Sequence, residues 1–312
     1  FMAEILSIGA LVLGAGAVCG QDYPSKPVRL LTAEAGGGLD FQARIVAQGL
    51  SAALGRQVLV DNRGAGAYAA EIVAKSAPDG YTLLIYGSNV WLAPLLRSDL
   101  PWDVMRDLAP VALTTRGPNL VAVTPTLPVK SIKELIALAR ARPGQLNYAS
   151  GSTGSSPHLS AELFKYMAGV NITRISYRGN AQAYADVIRG EVPLIFPTST
   201  SVAPHLLSGK VRALAVTTAQ RSALFPELPT VAESGVPGYE AASINGMFAP
   251  AGTPAAIVAR INAEVARLFA RPDVKEKFVN IGVEAVASSP EEFAATVKAE
   301  VARMGKMIKA AG

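Results

Sequence analysis

The stretch VRLLTAEAGGGLDFQAR, residues 28–44, passes from an apolar run through three consecutive glycines into a segment with apolar residues at Ile45, Val46, Leu50 and Leu54. That spacing predicts a strand, a piece of bare backbone and a helix N-terminus. Three glycines cannot pack a core, and holding them rigid costs chain entropy. In open α/β sheets, ligands bind beyond the carboxyl ends of strands, where loops meet helix N-termini. Unpaired N–H groups and the helix dipole there suit a phosphate or a carboxylate. An ordinary glycine turn would have the same composition, so this stretch alone leaves both readings open.

A second junction of the same kind lies at residues 147–162, NYASGSTGSSPHLSAE, where Ser150 to Ser156 are all Ser, Thr or Gly. Two strand–glycine–helix junctions fit an anion held between two lobes. A third, VLVDNRGAGAYAAE at 58–71, carries Gly64-x-Gly66-x-x-Ala69, a variant dinucleotide fingerprint. The acid that should end the following strand is absent from LIYGSN, 84–89, so no nicotinamide or flavin cofactor is expected.

Outward from these junctions the chain alternates strand-like and helical segments. Strands are expected at 28–32, 58–61 and 81–86 and again, in a second series from about Leu120, at 172–176, 192–196 and 213–217. Helices are expected at 39–54, 66–76, 131–141, 157–168, 180–189 and 200–208 between them. This rhythm predicts parallel sheets with helices on both faces. Residues 218–254 read as irregular, followed by helices at 254–270 and 290–309.

At 312 residues, 50% hydrophobic and 17% charged, the chain has material for two domains with sizeable cores. The net charge of +5 is scattered, with no basic run of the kind that binds nucleic acid. The apolar stretch ILSIGALVLGAGAV, 5–18, is too short to span a bilayer and suits a signal-peptide core, with cleavage before Gln21, although no Lys or Arg precedes it. Cys19 is the only cysteine, so the mature chain is expected to have no disulfide, thiolate metal site or cysteine nucleophile. Neither a Gly-x-Ser-x-Gly elbow nor a His-Glu-x-x-His pattern occurs, and His158, one of two histidines, reads as structural. No catalytic residue and no metal site are expected.

The segments YPSKPVRLL, GGGLDFQARIVAQGLSAALGRQVLVDNRGAGA, AEIVAKSAPDGYTLL, LNYASGSTGSSPHLSAELF, YRGNAQAYADVIRGEVPLIF, VRALAVTT, PTVAESGVPGYE and FAPAGTP, in that order, resemble the Bug-type periplasmic solute-binding proteins of tripartite tricarboxylate transporters. The resemblance covers nearly the whole mature chain. It implies a two-lobed, type II periplasmic-binding-protein fold that closes on a small carboxylate, held mainly by backbone N–H groups and ordered water. The implied first-lobe contacts are Ala35, Gly36, Gly37, Gly38 and Asp40, with Ser88 after the third strand. In the second lobe they are Ala149, Ser150, Gly151, Ser152, Thr153, Gly154 and Ser155, continued by Gly179, Ala181, Phe196, Pro197 and Thr198. Departures from the family pattern include Glu34 before the glycines, Tyr68 after Gly66, Ile244 in place of an aromatic, and Pro197-Thr198 where an acid is common. With no acid at Thr198, a ligand ammonium has no evident partner.

The expected organisation is a signal peptide at 1–20, a first lobe of 21–122 plus about 222–312, and a second lobe of 123–221. The expected function is extracytoplasmic capture of a di-, tri- or aromatic carboxylate by a monomer that delivers it to a membrane permease, with no cofactor. A ligand-presenting sensor on the same fold, or a hydrolase or lyase, are the alternatives. Valine at Gly37 is expected to cripple binding by filling the space above the backbone and restricting φ.

Overall fold

The computed structural model describes residues 23–311 except Ala65, Ser152, Arg178 and Gly179. The expected leader, and Ser152 and Gly179 of the expected site, lie outside the described residues. Among the described residues, eleven strands form two sheets. The first has β1 (Val28–Thr32), β2 (Val58–Asn62), β3 (Thr82–Gly87), β4 (Leu108–Pro118), β10 (Ala242–Pro250) and β11 (Glu284–Ala285), in the order β11-β4-β10-β3-β1-β2. The second has β5 (Leu120–Val123), β6 (Asn147–Ser150), β7 (Thr173–Ser176), β8 (Leu194–Ile195) and β9 (Arg212–Val216), in the order β7-β6-β8-β5-β9.

The two-lobed α/β expectation holds, but the sheets are mixed rather than mainly parallel. β1 runs parallel to β2 and β3, and β6 parallel to β7 and β8. β10 is antiparallel to β3 and β4, and β5 antiparallel to β8 and β9. The reason lies in the crossings. The chain leaves the first sheet at Pro118 and enters the second at Leu120, and β10 brings it back. A strand arriving from the other lobe starts at the edge where its neighbours end, so it must run against them.

β10 falls in the stretch the sequence pattern reads as irregular. Gly246 breaks the alternation there for a packing reason: a Cβ on it would stand 1.9 Å from Phe293 Cζ. The register also shifts on either side of Gly246 and Met247, which removes the two-residue period a strand normally shows. The long β4 and the helix Pro272–Asn280 were likewise not expected.

Helices cover the sheets by burying one face each. In the helix Gly38–Leu54, Ala43, Val46, Ala47, Leu50 and Leu54 are buried at three- and four-residue spacing. One apolar cluster runs through both lobes, from Leu31 and Phe248 to Tyr148, Phe164 and Phe196, and two others fill the outer faces. The crossings themselves are tied by buried polar groups. Thr217 Oγ1 accepts from the Asn119 N–H at 2.9 Å, and the Ala241 N–H donates to the Thr217 carbonyl at 2.8 Å.

The C-terminal helix, Pro290–Ala311, lies against β4 and touches the second-lobe helix Ser156–Ala168. Its Glu300 is buried and accepts from Trp91 Nε1 at 2.6 Å. Burial pushes its carboxyl up to about 7, with Arg303, Arg116 and the Trp91 N–H opposing and Glu240 adding to the rise. A raised acid contributes stability below its unfolded value of 4.5, and loses it as pH rises through 7. Glu300→Gln keeps the acceptor for Trp91 and removes this loss, which amounts to about 3 kcal/mol. The variant's melting midpoint is therefore expected to gain several degrees on the wild type between pH 4.5 and pH 8; parallel pH profiles would contradict this.

Candidate ligand-binding cleft

A cleft of roughly 600 Å³ opens where the strands of both sheets end, within the size range of small-molecule sites. The first lobe lines it with Glu34 to Gly38, with Tyr86 to Asn89 after β3, and with Ser243 to Asn245 at the start of β10. The second lobe supplies Gly151 and Ser155 to Pro157 after β6, Ala181, and Thr198 to Ser201 after β8. Among the described lining residues, Glu34 alone carries a charge at neutral pH.

Among the helices that begin on this cleft, Gly38–Leu54, Ser156–Ala168 and Ser199–Leu207 place their first residues in its wall, beside the short helix Ser88–Trp91 and the first turn of Asn180–Arg189. The first amides of a helix have no intrahelical partner, and a side-chain oxygen at the residue before usually takes one. Elsewhere in the chain this happens at some helices, where Ser131 caps Ile132–Ala141 and Ser289 Oγ accepts from the Glu292 N–H, and not at others, since Pro254 and Arg271 offer no cap to Ala255–Ala270 and Pro272–Asn280. At the cleft it does not. Gly37 has no side chain to offer, and Ser155 and Thr198, both good capping residues, make no cap hydrogen bond. Ser155 Oγ is buried with no partner among the described residues. Thr198 Oγ1 instead meets the hydroxyls of Thr200 and Ser201, each at 2.9 Å, and Tyr184 donates to Ser201 Oγ.

Each glycine-rich loop is pinned from behind by one charged side chain. In the first lobe Asp40 is buried and turned away from the cleft, accepting from the Gly36 N–H at 2.9 Å, from Asn62 Nδ2 at 2.9 Å and from Arg44. Burial alone would raise its carboxyl; the hydrogen bonds from Arg44, Gly36 and Asn62 and the charge of Arg44 outweigh burial and hold it below the usual range. In the second lobe Arg174 donates to Ser150 Oγ at 2.7 Å, Thr153 Oγ1 at 3.0 Å and the Gly151 carbonyl at 2.7 Å. His158 is structural, as its position suggests: Nδ1 accepts from the Gly154 N–H at 3.1 Å. Burial, and then the charge of Arg174, lower the imidazole to about 4.

Of the residues expected at the site, Ala35, Gly36, Gly37, Gly38, Ser88, Gly151, Ser155, Ala181 and Thr198 line the cleft. Asp40, Ser150, Thr153 and Gly154 stand behind it as supports. Ala149 lies within the second sheet, Phe196 packs against Tyr148 and Phe164, and the Pro197 carbonyl accepts from the Leu120 N–H. The stated reason for Gly37 needs correction. Its φ of −88° is open to any residue, and a Cβ there would meet only the Glu34 carbonyl oxygen, at 3.7 Å. The left-handed φ, +83°, belongs to Gly36, and the tight approach to the other lobe belongs to Gly38, whose Cβ would stand 3.2 Å from Thr200 Oγ1.

Several lining residues escaped the sequence reading. Gln42, Thr115 and Asn245 form a buried network under the cleft floor, with Thr115 Oγ1 donating to Gln42 Oε1 and Asn245 Nδ2 donating to Thr115 Oγ1. Ser243 and Asn245 sit at the start of a strand, not beyond the end of one, which is where α/β sites are sought. Arg174 carried one usable signal, a lone cation in the short strand TRIS after the serine-rich loop.

Comparison with known proteins follows the same lines. The family model described as tripartite tricarboxylate transporter family receptor matches residues 42–312. The structure of Rpa4515 from R. palustris with adipate is similar at TM-score 0.85 and 40% identity, covering 92% of this chain and 98% of that one. MatC (Rpa3494) from Rhodopseudomonas palustris with bound malate gives 0.82 and 30%, covering 92% and 100%. The periplasmic binding protein BugD gives 0.82 and 32%, covering 93% and 99%.

Arg174→Met should release the loop that it pins. Hydrogen bonds from a charged group are worth roughly 1.5–3 kcal/mol, so amide exchange at Gly151, Thr153 and Gly154 is expected to quicken about tenfold or more, with Tyr148 in β6 unchanged. Unaltered exchange would remove Arg174 from this role.

Proposed function

Because this chain belongs to the tripartite tricarboxylate transporter receptor family, we propose that its cleft captures a small carboxylate between the two lobes for delivery to a membrane permease. The carboxylate lies on the first-turn amides of the Gly38, Ser156 and Ser199 helices, and so supplies the caps these helices lack. Three uncapped N-termini around one nearly neutral, hydroxyl-rich cleft carry this reading. Each N-terminus favours an anion by about 0.3–1 kcal/mol, and each direct hydrogen bond to the charged group adds about 1.5–3 kcal/mol. Backbone N–H groups cannot be protonated or swung away, so the affinity comes from geometry already present in both loops. The similar proteins determined with adipate and malate support a carboxylate as ligand.

The contacts are Ala35 to Gly38, Ser88, Gly151, Ser155, Ala181 and Thr198; Ser152 and Gly179, which the resemblance also implies, lie outside the described residues. Asp40, Ser150, Thr153 and Gly154 act through the loops they hold. The lobe boundaries are better drawn at the crossings than at 122 and about 222: the chain up to Pro118 and from Ala242 on makes one lobe and the stretch from Leu120 to Val216 the other, moving about the Asn119 and Thr217 crossings. The chain is exported behind its leader to the periplasm, works as a monomer, and acts by capture and release without turning its ligand over.

A ligand that binds only the native state at 100 times its Kd stabilises by about 2.7 kcal/mol, and each kcal/mol moves the midpoint of a chain of this size by roughly 2–4 °C. A panel of mono-, di-, tri- and aromatic carboxylic acids should therefore contain a member that shifts melting by roughly 5–10 °C, with its esters and amides silent. Gly38→Val, which wedges the first loop against Thr200, should weaken that binding at least tenfold. A flat response to every acid, or a Gly38→Val protein that binds as the wild type does, would count against the proposal.

A further inference from the structure

Glu34 is the one residue of the cleft wall that an anion site would not choose. It is exposed, sits two residues before Gly36, and lines the cleft beside the glycine loop. Its carboxyl lies over the next turn of the first lobe, 3.8 Å from where a Cβ on Gly64 would be. Tyr86, whose hydroxyl donates to the Arg63 and Gly64 carbonyls at the same corner, feels the charge: burial first, and Glu34 second, push its phenol up. The cations nearby are engaged elsewhere. Arg63 and Arg29 pair with Asp61, and Arg44 pairs with Asp40. Glu34 itself makes no ion pair among the described residues.

Glu34 lines the same cleft of roughly 600 Å³ as Gly38, Ser156 and Ser199, and exposed charges act over a screening length of about 8 Å at physiological ionic strength. A ligand with one carboxylate on the helix amides therefore carries its second polar group into the cleft that Glu34 faces. Among the described residues the far wall offers no counterweight, since Thr198 to Ser201 are hydroxyl residues. Resting on the carboxylate reading above, we propose that Glu34 determines specificity: it favours carboxylates whose second polar group is an ammonium and disfavours those whose second group is another carboxylate. The partner that Thr198 does not provide for an ammonium is supplied from the first lobe. At 7 Å, a unit charge pair in a medium between protein surface and water changes affinity by about threefold to fiftyfold.

The test is calorimetric titration of the full chain and of Glu34→Gln with two matched sets: γ-aminobutanoate, butanoate and succinate, and ε-aminohexanoate, hexanoate and adipate. In the wild type the amino member of a set that binds should be tightest and the dicarboxylate weakest. Relative to the plain monocarboxylate of its set, Glu34→Gln should weaken the first and tighten the second, each about threefold or more, and these differences should shrink at high salt. An unchanged ranking in Glu34→Gln, or a wild type that prefers the dicarboxylate, overturns the role of Glu34 and leaves the carboxylate reading standing. Failure of every probe, with the wider acid panel also flat, overturns the carboxylate reading and this inference with it.

Discussion

An α-helix begins with amides that nothing in the helix can satisfy, and most chains cover them with a neighbouring side chain. Several helices here start without that cover; those at Gly38, Ser156 and Ser199 start together on one cleft, whereas those at Ala255 and Pro272 start away from it. The cost of leaving these groups bare is the force available to an anion that fills the space. Two of the residues in capping position, Ser155 and Thr198, have the chemistry to cap and do not. Ser155 Oγ is buried without a partner among the described residues, and Thr198 Oγ1 meets Thr200 and Ser201 instead.

Much of the remaining structure holds those helix starts in place. Glycine frees the backbone for close approach, but a free backbone is also a loose one, and the two loops are stiffened from outside the cleft. Asp40 draws in the Gly36 N–H on one side, and Arg174 grips Ser150, Gly151 and Thr153 on the other. The signs of these supports are opposite, yet both point away from the ligand space. Among the described residues the cleft wall is left almost without charge, and what a ligand meets there is backbone, hydroxyls, the amides of Gln42, Asn89 and Asn245 and a few apolar groups, with Glu34 as the one charged side chain. The crossing strands add their own residues, because an incoming strand starts at the cleft edge and so places Ser243 and Asn245 beside the loops.

The repeating strand–glycine–helix units were legible in the sequence because each is local. Gly36 to Gly38 and Ser150 to Ser156 announce themselves by composition, and the helices behind them by apolar spacing. What escaped was set by distant partners. β10 lost its periodic signal because Gly246 makes room for Phe293, nearly fifty residues later, and the register slips around it. Gly37 and Gly38 look identical in a run of three, and only the second lobe distinguishes them, through Thr200. Asp40 and Ser150 stand inside the right motifs but face the wrong way, since a side chain next to a binding loop can equally well be its brace. Glu34 was visible as an intruding acid; its reach over Gly64 required the fold.

Central to this account is a carboxylate resting on backbone amides, and amide nitrogen–proton spectra during titration with an acid that stabilises the chain test it most directly. Hydrogen bonding to a carboxylate moves an amide proton downfield. The amides of Gly37, Gly38, Ser156, Ser199 and Thr200 are expected to move so at saturation, while those of Ser131 and Ser289, at helix starts away from the cleft, stay in place. Shifts confined to arginine side-chain N–H signals, with the cleft amides unmoved at saturation, would contradict it.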